Sequence, residues 1–499
     1  MLRKLKFFLS NVKNINILII ISLIILHFPF LNCDPDADVE KHSRGAWTDE
    51  GLYSSQSLNF INTGKLKIKE NITFIKNPLY TLVQIPIYFI FEQHLVVGRI
   101  TVLLILIIVL YFLMKHRSTK FFARFLVPMG LLFYPIFMFS HYAMSEVICI
   151  SFIMLSLLFI VKFYENGKNK YLFLATLTIF ITYSFKIQFL YAIAIIPLTI
   201  LIVDFKGLFL FIFKNSYKRE QLLQKWGRLG LCLLYSFVLT IIYVLFWYLP
   251  NYEFYNFVMR HEVFERYPPL NLQHLINSTI FNLKNIYVYV DSVKPFFWLT
   301  LFSIPFFFLP IFKKNNTIVV IIAFSISWLC VELHKFPMSY LPTRYLLSTF
   351  MSLSFLISAV YAEMWTYKKL KYVSITFTTL ILLINLNYYL RSYNNRTYDI
   401  KFLNEYMSKH VNNDNIIIGA WATTATWNTK AITFPVWNDF LNYENPIEKY
   451  KPTIIISELD ESDSDHAYSS QKINLLEVSD SVRYFSIWRY DVGVFWIRY

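Results

Sequence analysis

Two adjacent carboxylates, Asp49 and Glu50, stand in the polar stretch 45–53, after the first apolar run of the chain and before a long series of others. A positioned carboxylate can take the proton of a hydroxyl group as that group attacks an electrophilic carbon. The pair also has a simpler interpretation. Thr48 could cap a helix that runs to Asn62, and the helix dipole favours acidic residues in a first turn. The local sequence leaves both interpretations open.

Further charged residues lie in the loops between later apolar runs: Lys76, Glu146, Lys186 and Arg344. Lysine and arginine side chains hold an anionic group strongly at the edge of a bilayer, because water is partly excluded there. Arg99, at the start of the second run, could snorkel to the interface or contact such an anion. These residues can form one site only if the chain brings them to the same side of a membrane.

The composition predicts a polytopic α-helical membrane protein. The chain is 56% hydrophobic and only 16% charged, with a mean hydropathy of +0.44, whereas soluble proteins are about 25% charged. The formal net charge of +15 comes mainly from short basic loops that orient the chain in a lipid bilayer. We therefore expect the bilayer, and not nucleic acid, as a partner.

The apolar runs predict about eleven transmembrane helices, each near the length that a bilayer needs. They lie at 15–31, 95–114, 125–139, 147–163, 171–185, 189–203, 229–249, 296–312, 318–333, 345–365 and 372–390. Alternation puts the basic loops on the N-terminal, cytoplasmic side. The first external loop (32–94), with its interfacial helices, and the loops that carry Glu146, Lys186 and Arg344 then share the opposite face.

The composition changes after residue 390. Residues 391–499 contain short β-type runs at 416–418, 453–456 and 492–497, a helical pattern at 401–411, and a segment 482–490 that could pair with the last strand across Asp491. We expect a transmembrane domain at 1–390 and an extracytoplasmic α/β domain at 391–499, which is large enough for a core of its own.

The order of these features resembles the GT-C superfamily of polyprenyl-phosphate-dependent glycosyltransferases, and within it the protein O-mannosyltransferase and lipid A aminoarabinose transferase group. The resemblance covers most of the chain. It implies that Asp49 is the catalytic base, with Glu50 as its neighbour. It also implies that Lys76-Asn77-Pro78 matches a Lys-x-Pro motif that contacts the donor phosphate, although many members have two prolines there.

The same resemblance implies roles for the other loop residues. Glu146 matches the second acidic residue of the family, and Lys186 and Arg344 match basic, donor-phosphate-binding positions more loosely. The implied enzyme is an inverting hexosyl- or pentosyltransferase. Its donor would be a polyprenyl-phosphate-linked sugar, and its acceptor a hydroxyl group on a glycan, a lipid or a protein. The bacterial inner membrane is the expected location, with the endoplasmic reticulum as the alternative.

A transporter or flippase of lipid-linked glycans is the alternative function. Such proteins carry ionisable residues at mid-membrane depth and broken helices, whereas this chain concentrates its charges in loops on one face. No cofactor is expected. Asp34, Asp36 and Asp38 could bind a divalent cation, but such a cage needs several converging oxygens, which their spacing alone does not provide.

Overall fold

The fold is described here from a computed structural model, which describes residues 12–39, 45–66, 78–214, 219–258, 271–307, 316–339, 341–438, 441–459 and 466–498. Helices account for most of the described residues as far as residue 410. They are α1 (Val12–His27), α2 (Gly45–Thr63), α3 (Pro78–Phe91), α4 (Leu95–Lys115), α5 (Lys120–Leu126), α6 (Tyr134–Phe139), α7 (Ser145–Asn166), α8 (Asn169–Phe185), α9 (Ile195–Lys214), α10 (Arg219–Tyr243), α11 (Tyr252–Val258), α12 (Leu272–Tyr289), α13 (Val293–Phe307), α14 (Asn316–Glu332), α15 (Thr343–Met364), α16 (Leu370–Asn394) and α17 (Asp399–His410).

Seven helical stretches among the described residues are long and apolar enough to cross a membrane. They are Leu95–Lys115, Ser145–Asn166, Ile187–Asp204, Gln224–Asn251, Asn316–Lys335, Thr343–Met364 and Leu370–His410, and three shorter apolar helices accompany them at Ile15–Phe30, Pro78–Phe91 and Val293–Phe306. The chain is thus a polytopic α-helical membrane protein. The count of about eleven spans stays a prediction.

The apolar run at 125–139 is not the single helix that its composition predicts. α5 gives way to a π-helical turn at Val127–Leu131, and the chain then restarts as α6. Pro128 lies at the start of the π turn, and Pro135 lies at the start of α6. Proline lacks the amide N–H that continues an α-helix, so it is found at the first turn of a new segment. The apolar run therefore forms two short helices.

Helix α2 begins at Gly45, three residues before Thr48. The prediction that Thr48 caps this helix was therefore wrong, and no acidic residue lies in its first turn. The end of the helix was predicted well: it closes at Gly64, whose φ of +70° is a backbone conformation that glycine adopts without strain. Helix capping does not explain why Asp49 and Glu50 stand where they do.

A five-stranded sheet forms the core of the C-terminal region. Its strands are β1 (Ile416–Ile418), β2 (Ile432–Phe434), β3 (Ile454–Glu458), β4 (Ser479–Ile487) and β5 (Tyr490–Ile497), in the order β2-β1-β3-β5-β4. β1 runs parallel to β2 and β3, and β5 runs antiparallel to β3 and β4. Two short helices complete the region, α18 (Pro446–Tyr450) and α19 (His466–Ser469). The sheet confirms the predicted α/β fold.

The details of this region differ from the prediction in two places. β2 has no long apolar run and was not expected. The β4–β5 hairpin turns at Trp488 and Arg489 and not across Asp491, and Trp488 adopts a φ of +54°, as the first residue of a tight two-residue turn often does. The predicted domain boundary after residue 390 stays a prediction, and α16 continues to Asn394.

Helix α2 lies between the helical bundle and the sheet. Asn59 forms two hydrogen bonds with the backbone of Thr433 in β2, at 2.7 and 3.1 Å, and Asn62 donates to the carbonyl of Ala431 at 3.2 Å. A Cβ atom on Gly51 would lie 2.5 Å from the backbone nitrogen of Thr424. Gly51, Asn59 and Asn62 are eight and three residues apart, close to two turns and one turn of the helix, so they place one face of α2 against the C-terminal region and leave the other face for the bundle.

Candidate active site

Asp49 projects from α2 towards the start of α15, where it forms an ion pair with Arg344. The distance from Asp49 Oδ2 to Arg344 Nη1 is 2.9 Å, and the two side chains are 11% and 10% exposed. The Tyr53 hydroxyl, one helical turn along α2, donates to the same oxygen at 3.4 Å. Residues that are far apart in the sequence are thus brought together, and the carboxylate remains within reach of solvent.

A second ion pair lies beside the first. Lys186 directly follows α8, and Glu146 lies in the first turn of α7. Lys186 Nζ is 2.5 Å from Glu146 Oε1, and the two side chains are 1% and 2% exposed. Lys186 also donates to the Tyr53 hydroxyl at 3.3 Å. Tyr53 therefore joins the two ion pairs into one hydrogen-bonded network, in which each bond is strengthened by the low local dielectric.

Tyr53 acts in this network as a neutral phenol. Burial raises the pKa of Tyr53 well above its ordinary value, and the nearby carboxylates of Asp49 and Glu146 raise the pKa further. Because the hydroxyl keeps its proton, it can donate to Asp49 while it accepts from Lys186. This arrangement fixes the direction of both hydrogen bonds.

The second oxygen of Glu146 differs from the first. Oε2 is buried and has no hydrogen-bond partner among the described residues. Most buried polar atoms in proteins are paired, so an unpaired carboxylate oxygen inside a charged cluster needs an explanation. An incoming hydroxyl group of a substrate would provide the missing donor.

Glu50 lies on another side of α2 and has a different environment. Its two oxygens accept from Arg99 at 2.9 and 2.6 Å, and Oε1 also accepts from the amide of Ala143 at 2.5 Å. Arg99 in turn donates to the carbonyl of Cys33 at 2.6 Å. Both side chains are buried, at 2% and 0% exposure. Of the two roles that its sequence position suggested, Arg99 does not snorkel to the interface, because it is fully buried against Glu50.

One charged cluster next to the site was not predicted from the sequence. Glu332, at the end of α14, pairs with Lys335 at 2.5 Å and accepts from the Tyr191 hydroxyl at 2.5 Å. Lys335 also donates to the carbonyl of Tyr345 at 2.9 Å, which fixes the backbone directly after Arg344. Nothing in the sequence distinguishes Lys335 from an ordinary loop lysine.

The structure brings four of the predicted residues together at the end of the bundle that faces the C-terminal region: Asp49, Glu146, Lys186 and Arg344. Glu50 is adjacent but belongs to the buried Arg99 pair. Lys76 lies outside the described residues. Pro78, two residues later, is the first residue of α3.

The aspartates of the first loop bind protein groups. Asp34 accepts from the Thr397 hydroxyl at 2.6 Å and from the Asp399 and Ile400 amides at 2.7 and 3.0 Å, which satisfies the start of α17. Asp38 forms an ion pair with Arg391 at 3.0 Å. Within the described parts of the chain, no group of three or more His, Cys, Asp or Glu side chains is arranged to hold a metal ion.

Comparison with solved structures identifies the fold. The chain is similar to ArnT from Cupriavidus metallidurans, in crystal structures of the apo state and of the complex with undecaprenyl phosphate. Each comparison has a TM-score of 0.57 and 13% identity and covers 96% of this chain and 97% of that chain. The Archaeoglobus fulgidus oligosaccharyltransferase, in complex with Zn and sulfate, gives a TM-score of 0.45 at 13% identity, over 90% of this chain and 68% of that chain.

No protein-family model matches the sequence, and no curated protein matches it either. The fold comparison therefore stands on structure and not on sequence similarity. The chain has the fold of ArnT, and this agrees with the fold that the resemblance of its motifs implied.

Proposed function

We propose that the chain is an integral membrane inverting glycosyltransferase that moves a sugar from a polyprenyl-phosphate donor to an acceptor hydroxyl group. One observation carries this proposal: the Asp49 carboxylate, whose side chain is 11% exposed, is held by Arg344 and joined through Tyr53 to the Lys186–Glu146 pair. A base and several cations converge there at one end of a membrane bundle, which is what displacement of a lipid phosphate requires.

In this reaction Asp49 takes the proton of the acceptor hydroxyl as its oxygen bonds to the anomeric carbon. The bond from that carbon to the donor phosphate breaks, and the polyprenyl phosphate leaves with the bonding electron pair. Protonation removes the negative charge that Arg344 faces in the resting site. The guanidinium is then available to the phosphate at the moment when the phosphate gains charge.

The remaining residues have supporting roles in the proposal. The buried Lys186–Glu146 pair holds the Tyr53 hydroxyl in place, and Glu146 Oε2 would accept from a substrate hydroxyl. Glu50 keeps α2 in position through Arg99. Lys76 keeps the phosphate-binding role that the Lys-x-Pro resemblance implies, and Lys186 would join it if its pair with Glu146 opens.

The fold comparison supports the choice of donor, because ArnT has been crystallised with undecaprenyl phosphate. By this analogy we assign a polyprenyl-phosphate-linked hexose or pentose as donor. The acceptor would be a glycan, a lipid or a protein at the extracytoplasmic face of a bacterial inner membrane.

The test is a transfer assay with the full chain in nanodiscs, undecaprenyl-phosphate sugars as donors and a cell-envelope extract as acceptor. General-base catalysis contributes about 10² to 10⁴ in rate, so Asp49→Asn is expected to lower kcat by that factor while the protein stays folded. Asp480→Asn is the matched control, because Asp480 is a well-exposed carboxylate on β4. Wild-type turnover in Asp49→Asn would remove Asp49 from the mechanism.

A further inference from the structure

A cavity of about 200 Å³, lined by both polar and apolar groups, lies where the first loop, the end of α16 and the β4–β5 hairpin meet. Its lining includes Asp36, Asp38, Trp47, Arg391, Asn395 and Trp488. Pockets for drug-sized ligands measure about 300 to 1,000 Å³, so a ligand that fits this cavity is smaller, of the size of one sugar ring. The reaction proposed above makes no use of this space.

Trp47 gives the first indication that the cavity binds a ligand. Its ring is 1% exposed and stacks on the ring of Trp488 at 4.6 Å with an interplanar angle of 8°. The indole N–H of Trp47 is buried and has no hydrogen-bond partner among the described residues. Leaving a buried donor unsatisfied costs about 1 to 3 kcal/mol. A ligand with an oxygen acceptor would remove this cost.

The charges of the lining indicate the chemistry of that ligand. The Asp34 carboxylate is occupied by the start of α17, and Asp36 accepts from the Asp38 amide and the Ser392 hydroxyl. Arg396, the second arginine of the lining, donates to the carbonyls of Tyr393 and Pro29. Asp38 and Arg391 form an ion pair, and their side chains remain 34% and 55% exposed. This balance favours neither an anion nor a metal ion. Exposed donors and acceptors beside an aromatic pair suit a neutral, hydroxyl-rich group.

The position of the cavity separates it from the Asp49 site. Trp47 and Asp49 are two residues apart on α2, and at 3.6 residues per turn their side chains point about 200° apart around the helix. The cavity and the Asp49–Arg344 pair therefore lie on different sides of the same helix. A ligand that reached both would be longer than one sugar unit.

We propose that the cavity is a saccharide-binding site, in which one unit of a glycan acceptor binds beside the Trp47–Trp488 stack and the Asp38–Arg391 pair. The bound unit is remote from the hydroxyl that receives the new sugar. The assignment as an acceptor site rests on the proposed transferase function, whereas the binding itself does not. Of the three acceptor classes, this proposal selects the glycan.

Binding is tested with the full chain in nanodiscs by saturation-transfer NMR, with maltotriose, chitotriose and mannotriose as probes. At least one probe is expected to receive saturation from the wild-type protein. The signal should fall at least tenfold in Trp488→Ala, which removes an aromatic wall, and in Asn395→Ala, which removes an exposed amide. Two matched controls should keep the signal: Tyr484→Ala, an exposed aromatic on the same hairpin, and Asn412→Ala.

The outcomes separate the two proposals. No signal from any of the three probes, or equal signals in all variants, overturns the saccharide site. Asp49→Asn is expected to keep the saccharide signal while it loses transfer, and wild-type transfer in that variant would overturn the proposed function alone. If Trp488→Ala and Asn395→Ala lose the signal but transfer to glycans at the wild-type rate, the cavity is not an acceptor site.

Discussion

Two neighbouring carboxylates on α2 form ion pairs of different kinds. Asp49 pairs with Arg344 through Oδ2 and accepts a longer hydrogen bond from Tyr53 at the same oxygen, and the Asp49 and Arg344 side chains are each about a tenth exposed. Glu50 accepts three hydrogen bonds, and its partner Arg99 is fully buried. Both residues are acidic and both face arginine, so charge does not distinguish them. The difference lies in how many hydrogen-bonding positions the protein has already filled.

This comparison separates a structural from a reactive role. A carboxylate whose oxygens are saturated by fixed donors cannot receive another proton donor without breaking a buried network. A change of charge at the Asp49 carboxylate costs less, because the Asp49 and Arg344 side chains keep about a tenth of their exposure, whereas the Glu50 and Arg99 side chains keep almost none. The Glu50 pair therefore holds α2 in place, and the Asp49 pair is the one that a substrate can enter.

The largest effect is expected when the Glu50 pair is broken. Arg99→Met removes the partner and leaves Glu50 charged and buried, which typically costs about 3 to 5 kcal/mol of unfolding free energy. Titration with SDS would measure the loss as a shift of the unfolding midpoint. The matched control is Arg498→Met, which breaks an exposed pair with Asp480. A variant Arg99→Met as stable as the wild type would show that Glu50 is not held in this way.

The second prediction concerns the partner of Asp49. Arg344→Met is expected to lower kcat by about 10² to 10³, which is the usual cost of removing one donor to the charge that develops in a transition state. The unfolding midpoint should change less than in Arg99→Met, because the Asp49 and Arg344 side chains are less completely buried than those of Glu50 and Arg99. Arg344→Lys keeps the charge and should recover part of kcat. A large loss of stability with unchanged kcat would reverse the roles of the two pairs.

The distinction between the two pairs could not be predicted from the sequence. The composition and the apolar runs were sufficient to predict the membrane fold. The β-type runs were sufficient to predict four of the five strands. Asp49, Glu146, Lys186 and Arg344 were selected through the resemblance of the loop motifs to the GT-C superfamily and through their predicted position on one membrane face. The pairing of Glu50 with Arg99 and the Glu332–Lys335 cluster depend on three-dimensional packing between distant helices, which no local pattern encodes.

The start of α2 shows the same limit. Thr48 is a good capping residue, and the sequence therefore favoured a helix that begins there. The contacts with the C-terminal region override this preference. Because Asn59, Asn62 and Gly51 pack against that region, the whole length of α2 is ordered by tertiary packing, and its local propensity matters less.

The third prediction concerns Gly51, because a substitution there would displace α2 and with it both ion pairs. In Gly51→Ala the new Cβ would lie within 2.5 Å of the Thr424 backbone, and such overpacking typically costs about 1 to 3 kcal/mol. We expect α2 to shift away from the C-terminal region and kcat to fall together with the unfolding midpoint. Gly227→Ala is the matched control, since a Cβ there meets no atom within 4 Å. Equal behaviour of the two variants would show that the contact does not position α2.

The smallest effect is expected at an ion pair that lies fully in solvent. Asp480 and Arg498 join β4 to the residue after β5, and their side chains are 58% and 65% exposed. Exposed pairs contribute about 0.2 to 1 kcal/mol, and about 1 M salt screens charges that are more than about 3 Å apart in water. Asp480→Asn should therefore lower the unfolding midpoint slightly in low salt, and by a smaller amount in high salt. The lowered unfolding midpoint of Arg99→Met should persist in high salt, because ions do not reach the buried Glu50–Arg99 pair. A salt-sensitive Arg99→Met would mean that water enters the Glu50 pair, and the contrast between the two carboxylates would then be one of degree.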